Sequence, residues 1–260
     1  DGVDKNSTEA FKYFQIGAKK NVNAMFFTAK MLFDGVGVPQ NKKNAYRYFK
    51  MAADRGNVES MFQYGLALRS GNDIKLDLPE AAKYIKRAAD ADHIEATYLY
   101  GKILLGGEGV PKDASRGCFL LRKSADKGYM KAMIDLANVF DRGTDVPINK
   151  KEAIKYFKMA ADKGHVESMI KYGRCLRNGT DIPKNLVEGT QYIKKAADKG
   201  NNMAVYEYAC ILENGDGVPK NKKEACHYYM IASYHNNVNA MLNYAMILYN
   251  GDGVVKDMKM

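Results

Sequence analysis

The feature that most constrains this chain is a period. Starting from Ala24, equivalent residues recur at Ser60, Ala96, Ala132, Ser168, Ala204 and Ala240, every step being 36 residues. Glycine recurs in the same register at Gly35, Gly71, Gly107, Gly143, Gly179, Gly215 and Gly251. No insertion interrupts the count. A repeat held this strictly predicts an array in which each unit buries its apolar face against its neighbours. Full units are expected at 24–59, 60–95, 96–131, 132–167, 168–203 and 204–239, with half units at 1–23 and 240–260, all in one array over 1–260.

Each unit reads as two helices. The first begins near Val58–Met61 or Val166–Met169 and carries small residues five places apart, as in Ser60 and Gly65 or Ser168 and Gly173. Small residues let a second backbone approach, while Tyr64 and Leu68, or Tyr172 and Leu176, fill the remaining volume. The twelfth-place glycine then ends the helix, because it enters the left-handed region without a steric penalty. The second helix carries Ala45, Tyr48, Phe49, Ala52 and Ala53, repeated as Ala153, Tyr156, Phe157, Ala160 and Ala161. That i, i+3, i+4, i+7 spacing is one buried helical stripe, with lysines opposite. The expectation is an all-α chain of about 13 or 14 helices and no strand.

The helices are joined by loops such as Asn214–Lys223, which place Asn or Asp at Asn41, Asp77, Asp113, Asn149, Asn185, Asn221 and Asp257. This residue type caps a helix start, since its side chain accepts from N–H groups of the first turn. Glu80, Glu152, Glu188 and Glu224 stand three places later, the spacing of a capping box. A proline such as Pro219 discourages the residue before it from continuing the first helix. A phosphate-binding loop needs a buried strand before it and the spacing G-x-x-x-x-G-K-[ST]; neither occurs. The loops read as connections, with Gly143, Asn149, Gly179 and Asn185 as structural caps.

The formal charge of +10 comes mostly from scattered lysine, which describes a solvated surface with some attraction for acidic partners. No apolar run reaches membrane-span length and no signal-peptide pattern opens the chain, although it begins at Asp1 rather than Met. Cys118, Cys175, Cys210 and Cys226 form no C-x-x-C pair and no metal-ligand spacing, so they read as buried thiols in the reducing cytoplasm. Sequons at Asn6 and Asn178 leave a secretory or ER-lumenal route open.

Catalysis needs titratable groups that converge. His93 and His165 hold one register position two repeats apart, which suits a helix start. Cys210 and Cys226 share a unit and read as packing, and His227 adjoins Cys226 on a helix, where neighbours point apart. No catalytic, metal-binding or cofactor-binding residue is assigned, and no cofactor is expected.

These features resemble the Sel-one-like repeat (SLR) family, a relative of tetratricopeptide repeats. In one copy Ser168, Tyr172, Gly173, Leu176, Gly179, Ala196–Ala197 and Gly200 occupy the family's places. In the next, Ala204, Gly215, Gly217, Val218, Asn221, Ala225 and Tyr228 do so. The resemblance covers essentially the whole chain. It departs in having Tyr or Phe where many members have Trp, and in a first turn, Ala18–Asn23, that is one residue short and lacks Gly. The places where a cysteine-rich bacterial branch forms disulfides hold Ala161 and Ser168, or Ala197 and Ala204, so no disulfide is carried over. The resemblance implies a right-handed superhelical solenoid of antiparallel helix pairs, tetratricopeptide-like, with first helices on the concave side. It also implies a non-catalytic role in assembling complexes by binding other proteins.

Places outside the packing rule are available for recognition. In the first helices these are the fourth, seventh, tenth and eleventh, which share a face. They run from Gln63, Leu66 and Arg69 through Leu99, Lys102 and Leu105 to Lys171, Arg174 and Arg177. The function expected is a protein–protein interaction scaffold or adaptor. Lys171, Arg174 and Arg177 fan across one helix face, and Arg142 and Lys102 extend it, so an acidic peptide or helix is the expected ligand. The strip of Leu66, Leu99 and Leu105 is the next candidate. The alternative is a helical repeat protein that binds RNA or another polyanion. Asp135, Asp141, Glu207 and Glu213 on the same face disfavour nucleic acid, because they would repel a phosphate backbone. The last helix carries Met246 and Tyr249 with no partner helix after it, so the chain is expected to belong to a longer protein or a larger complex.

Overall fold

A computed structural model describes residues 5–251, and among them are fourteen helices and no strand. The chain divides into two compact units between Ala132 and Met133. The first unit holds α1 (Ser7–Gly17), α2 (Val22–Asp34), α3 (Lys42–Asp54), α4 (Val58–Ser70), α5 (Leu78–Asp90), α6 (Ile94–Gly106) and α7 (Ala114–Asp126). The division falls in the first turn of α8 (Met130–Arg142). The second unit continues with α9 (Lys150–Asp162), α10 (Val166–Asn178), α11 (Leu186–Asp198), α12 (Asn202–Asn214), α13 (Lys222–Tyr234) and α14 (Val238–Asn250). Within the first unit successive helices from α1 to α7 pack together, and within the second those from α9 to α14 do. From α2 onward, even-numbered helices are the first of each repeat and odd-numbered ones the second.

Close backbone approach within a helix pair follows from the small residues. A Cβ on Gly173 of α10 would stand 2.9 Å from the carbonyl oxygen of Gly189 on α11. The buried stripe of the second helix is wider than the sequence pattern. Alongside Ala153, Tyr156, Phe157, Ala160 and Ala161, α9 buries Ile154. In α3 the buried tyrosine is Tyr46, whereas Tyr48 is only partly covered.

The twelfth-place glycines all take left-handed backbone, with φ 69° at Gly143 and 70° at Gly179. At the start of the next helix, Asn149 Oδ1 accepts from the N–H of Glu152 at 3.1 Å, and Asn185 Oδ1 from that of Glu188 at 3.0 Å. Asn41, Asp77, Asp113 and Asn221 make the same bond, while Asp257 lies outside the described residues.

The capping-box spacing does not give the reciprocal bond. The N–H of the cap residue donates instead to a carbonyl of the first helix, Asn149 to Phe140 at 2.9 Å and Asn185 to Leu176 at 2.8 Å. That N–H is satisfied by tying the two helices of a repeat together. The Glu188 carboxylate takes the side-chain amide of Asn185 at 3.0 Å.

The first helices are capped as well. Asn57 Oδ1 accepts from Ser60 N–H at 2.8 Å, and the Nδ1 atoms of His93 and His165 accept from Ala96 and Ser168 at 3.1 and 3.3 Å.

Candidate functional site

The free face of the first helices forms a groove in the first unit. About 550 Å³ in volume, it is lined by Phe33 of α2, by Gln63, Leu66 and Arg69 of α4, and by Glu108 beyond α6. Gln63, Leu66 and Arg69 hold the places that sequence packing leaves unspecified. Phe33 and Leu66 are half-buried, so the groove offers apolar surface between polar groups. Arg69 closes one side through a bidentate bridge to Glu108, with Nε–Oε2 at 2.8 Å and Nη2–Oε1 at 3.3 Å. That bond is the first reason the Glu108 carboxyl sits below its ordinary range. Lys102, also in this unit, is exposed on α6.

The remaining basic candidates lie in the second unit. Arg142 is exposed near the end of α8. Lys171 donates to Asn138 Oδ1 at 3.0 Å and lies 4.4 Å from the centre of the Phe157 ring. Arg174 holds Glu207 of α12 at 2.7 Å, with 46% of its side chain exposed. Arg177, only 13% exposed, donates to Thr190 and to the carbonyl of Asp216 at 2.9 Å, with the Asp216 carboxylate 3.8 Å away. The structure therefore brings Lys171, Arg174 and Arg177 onto neighbouring repeats of their own chain. Arg69–Glu108 and Arg177–Asp216 occupy the same two register places. An arginine recurring 39 residues before an acid was the signal for this inter-repeat bridge.

The sulfur and imidazole groups do not assemble into a reactive cluster among the described residues. All four cysteines are free thiols. Burial pushes the Cys226 thiol up, and burial followed by the charge of Asp141 does so for Cys175. Cys210 accepts from the Tyr229 hydroxyl at 3.3 Å, and Tyr229 also donates to Glu213 at 2.7 Å. Burial foremost, then these bonds, raises the Tyr229 phenol. No group of three or more His, Cys, Asp or Glu among the described residues could hold a metal ion. No helix among them is long and apolar enough to cross a membrane.

Helix pairs of uniform length, joined by glycine-ended and asparagine-capped loops, define a helical-hairpin repeat protein. The Sel1 repeat profile matches residues 1–22, 22–57, 58–93, 94–129, 131–165, 166–201, 202–237 and 238–260. The chain belongs to the Sel1 repeat family. The profile sets each unit about two residues earlier than a count begun at Ala24.

Among solved structures, a protective antigen (c5321) of uropathogenic Escherichia coli, described as displaying an SLR fold, is 19% identical with a TM-score of 0.71. The match covers 99% of this chain and 63% of that one, so the chain spans under two thirds of the antigen's length. A Sel1 repeat protein from Oxalobacter formigenes is 24% identical with a TM-score of 0.61, over 88% of this chain and 97% of the other. Curated proteins give no match to the sequence. At these identities the likeness concerns the fold. Sel1 repeat proteins generally mediate protein–protein interactions.

Proposed function

We propose that this chain is a non-catalytic scaffold that binds a segment of a partner protein along its first-helix faces. The observation that carries the proposal is the groove at Phe33, Gln63, Leu66 and Arg69, built from the places that repeat packing leaves free. A half-buried apolar floor beside fixed polar groups is the composition of a protein-docking surface. The same proposal gives contact roles to Lys102 in the first unit and to Arg142, Lys171, Arg174 and Arg177 in the second. There an acidic segment would take over the bond Arg174 now makes to Glu207, because exposed ion pairs are held by only about 0–1 kcal/mol. The cytoplasm, expected from the cysteine pattern, is the compartment this role assumes.

The test places a photo-crosslinking residue at Gln63 and, separately, at Lys195, an exposed position on α11. Crosslinking to a discrete partner in cells should occur from position 63 and not from position 195. A partner captured from 195 alone would overturn the assignment of the face.

A further inference from the structure

The helices α3 and α9 lie three repeats apart and are nearly the same string, KKNAYRYFKMAAD and KKEAIKYFKMAAD. Each borders a groove shared with the following first helix and loop. In the second unit this groove measures about 540 Å³, with Ile154, Tyr172, Leu176 and Ile182 on its floor. Lys151, Lys155, Lys158 and Lys184 stand round it. In the first unit it measures about 340 Å³, with Tyr46, Tyr64, Leu68 and Ile74 on the floor and Lys43, Arg47, Lys50 and Lys75 around them. The floor and the three cations of each second helix match place for place, while the loop lysines Lys75 and Lys184 stand one place apart.

The second helix that follows each of them, α5 after α3 and α11 after α9, lacks this rim. At the corresponding places α5 has Pro79, Lys83 and Lys86, and its lysines are paired with Glu80 at 3.2 Å and Asp90 at 2.6 Å. α11 has Val187, Gln191 and Lys194, the last paired with Asp198 at 3.0 Å. In α3 and α9 only the third cation is so engaged, Lys50 by Asp54 at 2.6 Å and Lys158 by Asp162 at 2.7 Å. Lys43, Arg47, Lys151 and Lys184 have no carboxylate partner among the described residues. Each lining sets four cations against one acid, and those acids, Asp77 and Glu188, are tied into helix caps.

We propose that each of these grooves binds an acidic peptide segment of a partner protein, so that the chain carries two such sites, one in each unit. An apolar side chain of the segment enters over the tyrosine, leucine and isoleucine floor, and flanking carboxylates meet the free rim cations. Charge complementarity selects an acidic ligand, and the apolar floor selects a peptide over a bare polyanion. A nucleic acid fits less well because the floor rings are already packed. Tyr64 and Tyr172 each meet another tyrosine edge-on at 4.9 Å, and Lys158 lies over Tyr172 at 5.9 Å, leaving little open face for a base. These sites use other places of the repeat than Gln63, Leu66 and Arg69, with Tyr46 lining both grooves of the first unit, and they do not depend on the reading of the first-helix face.

The test uses the full chain and a fluorescent probe peptide with one leucine and one phenylalanine between aspartates. Anisotropy and calorimetry should give two equivalents per chain, with affinity falling as salt rises. Lys151→Glu with Lys155→Glu should leave one equivalent, and Lys43→Glu with Arg47→Glu should leave the other. All four together should weaken binding at least roughly tenfold, the scale of losing one well-placed charge contact. These side chains are exposed, so circular dichroism should be unchanged, and the four glutamine substitutions should give an intermediate loss without added acid. Failure of the probe to saturate, or unchanged affinity in the fourfold variant, would overturn the proposal. So would equal binding of a probe with serine in place of its apolar residues, or preferential displacement by a single-stranded oligonucleotide.

Discussion

Arg174 grips Glu207 with two nitrogens, Nε at 2.9 Å and Nη2 at 2.7 Å, across the boundary between consecutive repeats. The contact is both a fastener and a competitor, since the carboxylate occupies the place an acidic ligand would take. Glu207→Gln should therefore raise affinity for an acidic segment a few-fold while lowering stability by less than about 1 kcal/mol, the scale of an exposed pair. The measurement is probe-peptide binding in a background where Lys43, Arg47, Lys151 and Lys155 are already reversed to Glu. Unchanged affinity with a lower melting temperature would make Arg174 a fastener only.

A second fastener predicts a pH dependence. Tyr192 donates to Asp162, the last residue of α9, at 2.5 Å, and Lys158 reaches the same carboxylate at 2.7 Å. Burial pushes the Asp162 carboxyl up, but the bonds from Lys158 and Tyr192 outweigh it and hold it below its ordinary value. Asp54 repeats the arrangement with Lys50 and Tyr84. A depressed carboxyl contributes stability that is present above its unfolded value, about 4, and is lost as pH falls through the folded value. The melting temperature should therefore drop as pH falls below about 4. Asp162→Asn should flatten part of that drop. Because the pair is nearly half exposed, its share should stay below about 1 kcal/mol. An identical acid profile in the variant would remove Asp162 from the account.

The period made most of the fold legible, because a helix pair repeated in register leaves few other ways to bury its stripe. The caps followed from residue type alone, including the two histidines, whose equivalent places pointed to a helix start. Two things were hidden. The cap N–H groups bond back to Phe140 and Leu176, and nothing in a local spacing announces a bond that closes a loop between helices. The basic cluster looked free because Arg177 and Asp216 lie 39 residues apart, beyond any one helix. The α3 and α9 grooves show in sequence only when second helices are compared with one another, since lysines opposite a buried stripe read as ordinary solvated charge.

Place thirty-three of each repeat, in the turn before the next first helix, offers a stabilising substitution. Gly56, Gly128, Gly164 and Gly200 hold left-handed backbone there, and Asn236 does so at φ 61°. A non-glycine residue pays a steric penalty of roughly 1 kcal/mol in that region, only partly offset by its lower entropy when unfolded. Asn236→Gly should raise stability by about 0.5 kcal/mol, read from denaturant unfolding. A loss of stability would mean that the Asn236 side chain supports the turn.

Gly143 tests whether the loops act by backbone geometry. Its φ of 69° is costly for any residue with a Cβ, and a Cβ there would also stand 2.5 Å from Ile148 Cγ1. These two effects can be separated, because Ile148 is 61% exposed and can swing aside. Gly143→Ala should then cost about 1 kcal/mol from strain, and Gly143→Asn less, since asparagine tolerates the left-handed region better. Adding Ile148→Ala to Gly143→Ala should recover little. Asn149→Ala, which removes the side-chain acceptor but keeps the bond from its own N–H to Phe140, should also cost about 1 kcal/mol. Neither change should alter partner affinity at equal folded fraction. Full rescue by Ile148→Ala would shift the explanation from backbone strain to crowding, and loss of binding at full stability in Asn149→Ala would make the loops sites.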